Sequence, residues 1–202
     1  MPAVLAPTAI RSIPVWSPAP LRWSCDRFHD VWDSGAFDGT DVILVEGELI
    51  VMPAPNPPHT MATNLADSKL KSAFAVGYVV RVQSALVLGQ STDPIPDIAV
   101  VVGTPRDYPI HPTTAVLVVE VADSSLDYDR GDKANLYAAG GIADYWVIDI
   151  PNRQLHVFRE PAIDPAVRHG HRYRQQTTSG ELERVAPLAA QSTPIAVADL
   201  LP

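Results

Sequence analysis

A single glutamate interrupts the run AVLVVEVA, residues 115–122, in which every other side chain is apolar. Successive side chains of a strand point to opposite faces, so a run apolar at both parities predicts a central strand covered from both sides. A lone ionised carboxylate in such a place costs several kcal/mol to bury. Glu120 therefore calls for a buried arginine, a solvent-facing position at a sheet edge, or a metal ion.

The surrounding pattern predicts the scaffold that would cover this strand. A short helix is expected over 25–33. ILVEGELIVM, residues 43–52, reads as a hairpin bending at Glu46-Gly47, and the prolines at 53, 55, 57 and 58 end it. A helix follows from about His59, with Met61, Leu65, Leu70 and Phe74 near one face and Gly77 as its stop. Strands are expected over 78–88 and 96–102, with Pro96-Asp97 opening the second. Beyond the Glu120 strand come a helix over 129–139, stopped by Gly140-Gly141, and strands over 144–150 and 154–159 joined at Pro151-Asn152. Tyr145-Trp146 reads as core packing. The tail from Arg168 suggests two short strands around Gly180, with His169 and His171 in a solvated loop. This order gives an α/β (mixed α+β) fold, a central mixed sheet flanked by helices.

Residues 1–20 hold five of the 20 prolines (Pro2, Pro7, Pro14, Pro18, Pro20) and read as an arm, expected to pack on a second copy of the chain in a homo-oligomer, a homodimer, with one domain over 21–202. Cys25 is the only cysteine, which excludes an intrachain disulfide and a thiolate zinc cluster. The N-terminal prolines break what a signal peptide keeps apolar, and no run is long enough to span a bilayer, so the expected setting is cytoplasmic. A net charge of -8 excludes a protein that coats nucleic acid through many basic contacts. An enzyme that meets nucleic acid locally through a cation is compatible with it.

Asp97 is the second acid of interest. It opens its strand, where aspartate often caps a turn. If that strand pairs with the next, however, Asp97 and Glu120 converge at one sheet end. Their mutual repulsion then favours a divalent cation. Lys133 lies three and four residues before Leu136 and Tyr137 and so shares their inward face. The alternative for Lys133 is a snorkelling side chain, or an exposed ion pair with Asp129. Two acids and a lysine suit a hard cation, Mg²⁺ or Mn²⁺, that polarises a phosphodiester. His59, at the start of its helix, could face this site or sit at the surface, and Gln83, on the strand before Pro96-Asp97, could reach the same pocket.

PDIAVVV, then VLVVEVADSS, then DYDRGDKANLYAAGGIADYWVIDI, with VEGELIVMPAPNPPH before them, resemble the Uma family of restriction-endonuclease-like proteins, a bacterial branch of the PD-(D/E)XK nuclease superfamily. The resemblance covers roughly residues 25–160. It implies a restriction-endonuclease-like core in which Asp97 stands for the PD aspartate and Glu120 for the second acid, the metal being held by both and by the Val121 backbone carbonyl. Glu120-Val121-Ala122 departs from the E-x-K pattern, and the resemblance puts the lysine on the next helix, at Lys133. The implied activity is a metal-dependent endonuclease hydrolysing DNA phosphodiester bonds. Two alternatives stay open: a catalytically inert interaction module, and a phosphohydrolase of small phosphoesters using the same site.

Overall fold

A computed structural model describes residues 18–202; most of the proline-rich arm proposed for residues 1–20 lies outside the described residues. The chain begins with α1 (Cys25–Asp33), capped by the Ser24 hydroxyl, which accepts from the Arg27 N–H at 3.3 Å. The hairpin β1 (Val42–Val45) and β2 (Glu48–Val51) forms where the sequence places it. Its two turn residues, Glu46 and Gly47, both take positive φ, 49° and 79°, the geometry that matches the natural twist of paired strands.

Helix α2 (Pro57–Ala73) starts two residues earlier than His59, because Asn56 caps it and Pro57 and Pro58 occupy positions whose N–H groups have no helical partner anyway. Of the expected face, Leu70 and Phe74 are buried, but the first turns are rotated from it. Ala62, Thr63, Ala66 and Leu70 are buried, whereas Met61 is 54% exposed. Small alanines let the helix lie close to the sheet, and the larger Met61 is left outside.

Strands β3 (Tyr78–Val82), β4 (Ile98–Val102), β5 (Leu117–Ala122), β6 (Asp144–Asp149), β7 (Gln154–Ile163) and β8 (His171–Gly180) form one six-stranded sheet in that spatial order. Only β5 and β6 run parallel. A parallel neighbour requires a crossover, and the chain supplies it with α3 (Leu126–Arg130) and α4 (Asp132–Ala139). Two expectations are corrected here. The strand expected over 78–88 ends at Val82, because Gln83 turns the backbone to φ 44°. The helix expected over 129–139 is two helices, broken at Gly131, where a Cβ would lie 2.7 Å from the Asp127 carbonyl oxygen.

The tail differs as well. β8 is ten residues long and pairs with β7 from Gln154↔Gly180 to Ile163↔His171. Its sequence, HRYRQQTTSG, hides this length because an edge strand with only Tyr173 buried shows no apolar alternation. His169 is not in free solvent: its Nδ1 lies 2.9 Å from Glu46 Oε1. Tyr145 and Trp146 are core residues, as expected. The short β9 (Arg184–Val185) and β10 (Ile195–Ala196) then pair with each other.

The sheet is covered on both faces. Leu117, Val119 and Val121 pack toward α2 and the C-terminal segment. Val118 and Ala122 pack toward α4, with Ala134, Tyr137 and Ala138. By alternation Glu120 belongs to the α4 face. No helix among the described residues is long and apolar enough to cross a membrane.

Gly47 gives the fold a direct test. A Cβ there would stand 2.9 Å from Arg22 Cβ and 3.0 Å from the Trp23 carbonyl oxygen, in a backbone conformation that disfavours L side chains. Gly47→Ala is expected to lower stability by about 1–2 kcal/mol in urea unfolding with an unchanged m-value. An unchanged midpoint would contradict the turn geometry.

Candidate active site

The antiparallel pairing of β4 with β5 matches Ile98 to Val119, which sets Asp97, the residue before β4, beside Glu120. The Asp97 N–H lies 3.4 Å from Glu120 Oε2. In return the Val121 N–H donates to Asp97 Oδ2 at 2.8 Å. The two acids expected to converge do so at one end of the sheet, where β4 begins and β5 is finishing.

Helix α4 delivers the lysine. Lys133 Nζ stands 3.0 Å from Glu120 Oε2 and 3.3 Å from Asp129 Oδ1, with all three side chains almost fully buried. The exposed Lys133–Asp129 pair considered from sequence is thus a buried pair that also engages Glu120. Tyr137, one turn further, donates its hydroxyl to Glu120 Oε1 at 2.6 Å. Lys133 and Tyr137 recur at i and i+4 along one face of α4, and Asp129, at the end of α3, meets Lys133 across the Gly131 break. Only Lys133 was singled out as a site residue; Asp129 and Tyr137 were missed in that role.

His59, from the first turn of α2, joins from the opposite side. Its Nε2 is 3.1 Å from Asp97 Oδ2, and its Nδ1 is buried without a hydrogen-bond partner among the described residues. Gln83 does not bring its side chain in. It is exposed, and its contribution is a backbone N–H that donates to the Asp97 carbonyl at 3.0 Å. Among the arginines, Arg81 packs its guanidinium 5.7 Å from the Tyr108 ring centroid. Arg106 and Arg130 are exposed.

The charges are unevenly compensated. Burial opposes ionisation of Asp97, yet the His59 hydrogen bond and charge, the Val121 N–H and Lys133 together hold its carboxyl below the usual range. Glu120 goes the other way. Its burial outweighs the attraction of Lys133, and the charges of Asp97 and Asp129 add to the rise, pushing it up to about 8. Asp129 is raised for the same first reason, burial, despite Lys133 and the Ser125 hydroxyl. Burial also works against the Lys133 ammonium, but Glu120 and Asp129 more than reverse this and keep it protonated.

The donor atoms at this sheet end are oxygens. Asp97 Oδ2 is engaged by Val121 and His59, while Oδ1 has no hydrogen bond among the described residues. The Ala122 carbonyl accepts from Ile150 on the β6 side, so the Val121 carbonyl, one residue earlier, points to the β4 side, toward Asp97. Among the described residues no three His, Cys, Asp or Glu side chains converge as a ready metal cage. Two carboxylates and one carbonyl instead match the sparse protein ligation typical of Mg²⁺, which keeps several waters.

Two measurements test the charge balance. Lys133→Met strands Glu120 and Asp129 in a buried site and is expected to cost about 3–5 kcal/mol, whereas Glu120→Gln keeps the shape and is expected to cost far less. The raised Glu120 carboxyl binds its proton more tightly in the folded than in the unfolded chain. Its contribution is complete below the unfolded value of 4.5 and is lost as pH rises to about 8. Melting curves across that window should fall more steeply for the parent than for Glu120→Gln; parallel profiles would refute the raised carboxyl.

Comparison with known proteins adds two findings. A family model, Uma2, described as "Putative restriction endonuclease", matches residues 28–197. A crystal structure of "a putative nuclease belonging to DUF820" from Anabaena variabilis matches with a TM-score of 0.67 at 17% sequence identity. That match covers 90% of this chain and 97% of the other, and at this identity it speaks for the fold. A comparison with curated proteins gives no match.

Proposed function

The chain belongs to the Uma2 family, and from that premise we propose that it is a divalent-cation-dependent endonuclease that hydrolyses DNA phosphodiester bonds. The observation that carries the reading is the meeting of Asp97 and Glu120 at one sheet end, with the Lys133 ammonium 3.0 Å from Glu120. The resemblance read from the sequence and the family match support the same assignment.

Asp97, Glu120 and the Val121 carbonyl would hold Mg²⁺ or Mn²⁺. The site is suited to it: Asp97 favours its ionised form, and Glu120 lies among acids whose repulsion a cation would relieve. When bound, the cation supplies Lewis-acid polarisation of the phosphodiester and a more acidic water. Asp97, ionised and fixed through Oδ2, presents Oδ1 as a ligand without first losing a proton. Glu120 keeps a lone pair on Oε1, which Tyr137 alone engages, whereas Oε2 faces both Lys133 and the Asp97 N–H. Lys133 has three N–H donors, two directed at Glu120 and Asp129, and the third is available to orient a water or to offset charge on a phosphate oxygen.

With a net charge of -8, binding of DNA would depend on that cation and on local contacts rather than on a basic face. One observation favours a second reading, a nuclease-fold module without catalysis: both Glu120 oxygens already have protein partners.

A cation titration separates the two. Mg²⁺ at ten times its dissociation constant should stabilise the parent by about 1.4 kcal/mol, read as a rise in melting temperature. Asp97→Asn should lose that rise together with Mg²⁺-dependent nicking of plasmid DNA. A parent that shows neither response leaves the interaction-module reading.

A further inference from the structure

Asp97 has two unlike oxygens, and the cause lies in the first turn of α2. Oδ2 accepts from the Val121 N–H at 2.8 Å and faces His59 Nε2 at 3.1 Å, whereas Oδ1 has no hydrogen bond among the described residues. Val121 belongs to the sheet and is fixed by it. His59 comes from another element, so its contact with Asp97 depends on how that element is held.

The restraint is visible one turn back. Asn56 accepts the His59 N–H through Oδ1 at 3.1 Å, which caps the helix. The same Asn56 side chain donates through Nδ2 to Asp123 Oδ2 at 2.6 Å. Asp123 directly follows β5, three residues beyond Glu120. Pro57 and Pro58, between the cap and His59, fix φ at both intervening positions. The path from Asp123 through Asn56 and His59 to Asp97 is therefore short, has little torsional freedom, and ends on the Asp97 carboxylate.

We infer that His59 is a positioning residue for Asp97, and that the Asn56–Asp123 bond pins the first turn of α2 so that the imidazole fixes Oδ2 and leaves Oδ1 without a hydrogen bond among the described residues. This rests on the proposed cation site for its purpose, but the brace is a property of the protein alone. A histidine in this place acts through the ligand it orients. Nδ1 is buried without a hydrogen-bond partner among the described residues, so Nε2, placed on Asp97, is the ring nitrogen through which His59 acts.

The test uses the full chain and has two readouts. The first needs no metal: hydrogen exchange of the His59 Nε2–H, followed by ¹⁵N NMR. It should be slow in the parent, fast in Asp97→Ala, and accelerated at least several-fold in Asp123→Ala, which alters neither Asp97 nor His59. The second is Mn²⁺ affinity by calorimetric titration. His59→Leu should weaken it about 10–100-fold, and His59→Gln, whose amide can donate from nearly the same place, should recover most of the loss. An Asp123→Ala variant with the parent's exchange rate would overturn the brace, and parental Mn²⁺ affinity in His59→Leu would overturn the positioning role. A parent that takes up no Mn²⁺ while the imidazole exchanges as expected would sink the cation reading and leave the brace standing.

Discussion

A single buried ammonium holds the centre of this molecule together. Lys133 lies between Glu120 and Asp129, with Asp97 close enough that its backbone N–H approaches the same Glu120 oxygen. Three carboxyl groups share one lysine and the charge of His59. In a low-dielectric interior such an imbalance cannot be ignored: burial pushes the Glu120 carboxyl up to about 8 and raises that of Asp129. Asp97 alone, with a backbone N–H and an imidazole on one oxygen, is held in its ionised form. Two acids that look equivalent in the sequence thus shift in opposite directions, because fuller burial and the charges of Asp97 and Asp129 raise Glu120, whereas at Asp97 burial is outweighed by His59 and the Val121 N–H.

The topology is what brings the lysine to the acids. Because β5 and β6 are parallel, the chain must leave the sheet end where Glu120 sits, cross over one face and return. That crossover is α3 and α4, so its first turns pass over the Glu120 end of the sheet. The break at Gly131 lets the chain change direction while Asp129 and Lys133 stay in contact across it. From the other side α2 reaches the same end, and its N-terminal turn is tied to the segment after β5. The site is consequently enclosed by two helices on a rigid sheet, and each polar group in it is held by an element that also contributes to the core.

Much of the scaffold could be read from residue patterns. α1, the β1–β2 hairpin and the burial of β5 on both faces match their expected places, since each follows from local rules: a cap, a turn of two positive φ angles, and an apolar run at both parities. The misreadings also have local causes. Gln83 adopts a left-handed conformation with no glycine to announce it, so β3 looked longer than it is. The apolar stripe of α2 was assigned by size, whereas close packing selected its alanines. β8 carries no alternation because one side of it is solvent, and its length is imposed by pairing with β7.

The sequence by itself determined the ingredients of the site: an acid inside a doubly covered strand, an acid opening the neighbouring strand, and a lysine on the inward face of the helix between. Such residues carry a signal because their burial is expensive, and an expensive residue must be matched by something. What only the tertiary structure decided is the matching. That Tyr137 and Lys133 divide the two oxygens of Glu120, that Asp129 joins them, and that His59 rather than Gln83 reaches Asp97 depend on distances between elements far apart in the chain. Hydrogen bonds and charge interactions are decided at the scale of tenths of an ångström. Helical and strand periodicities fix which face a side chain is on, and packing fixes what it meets there.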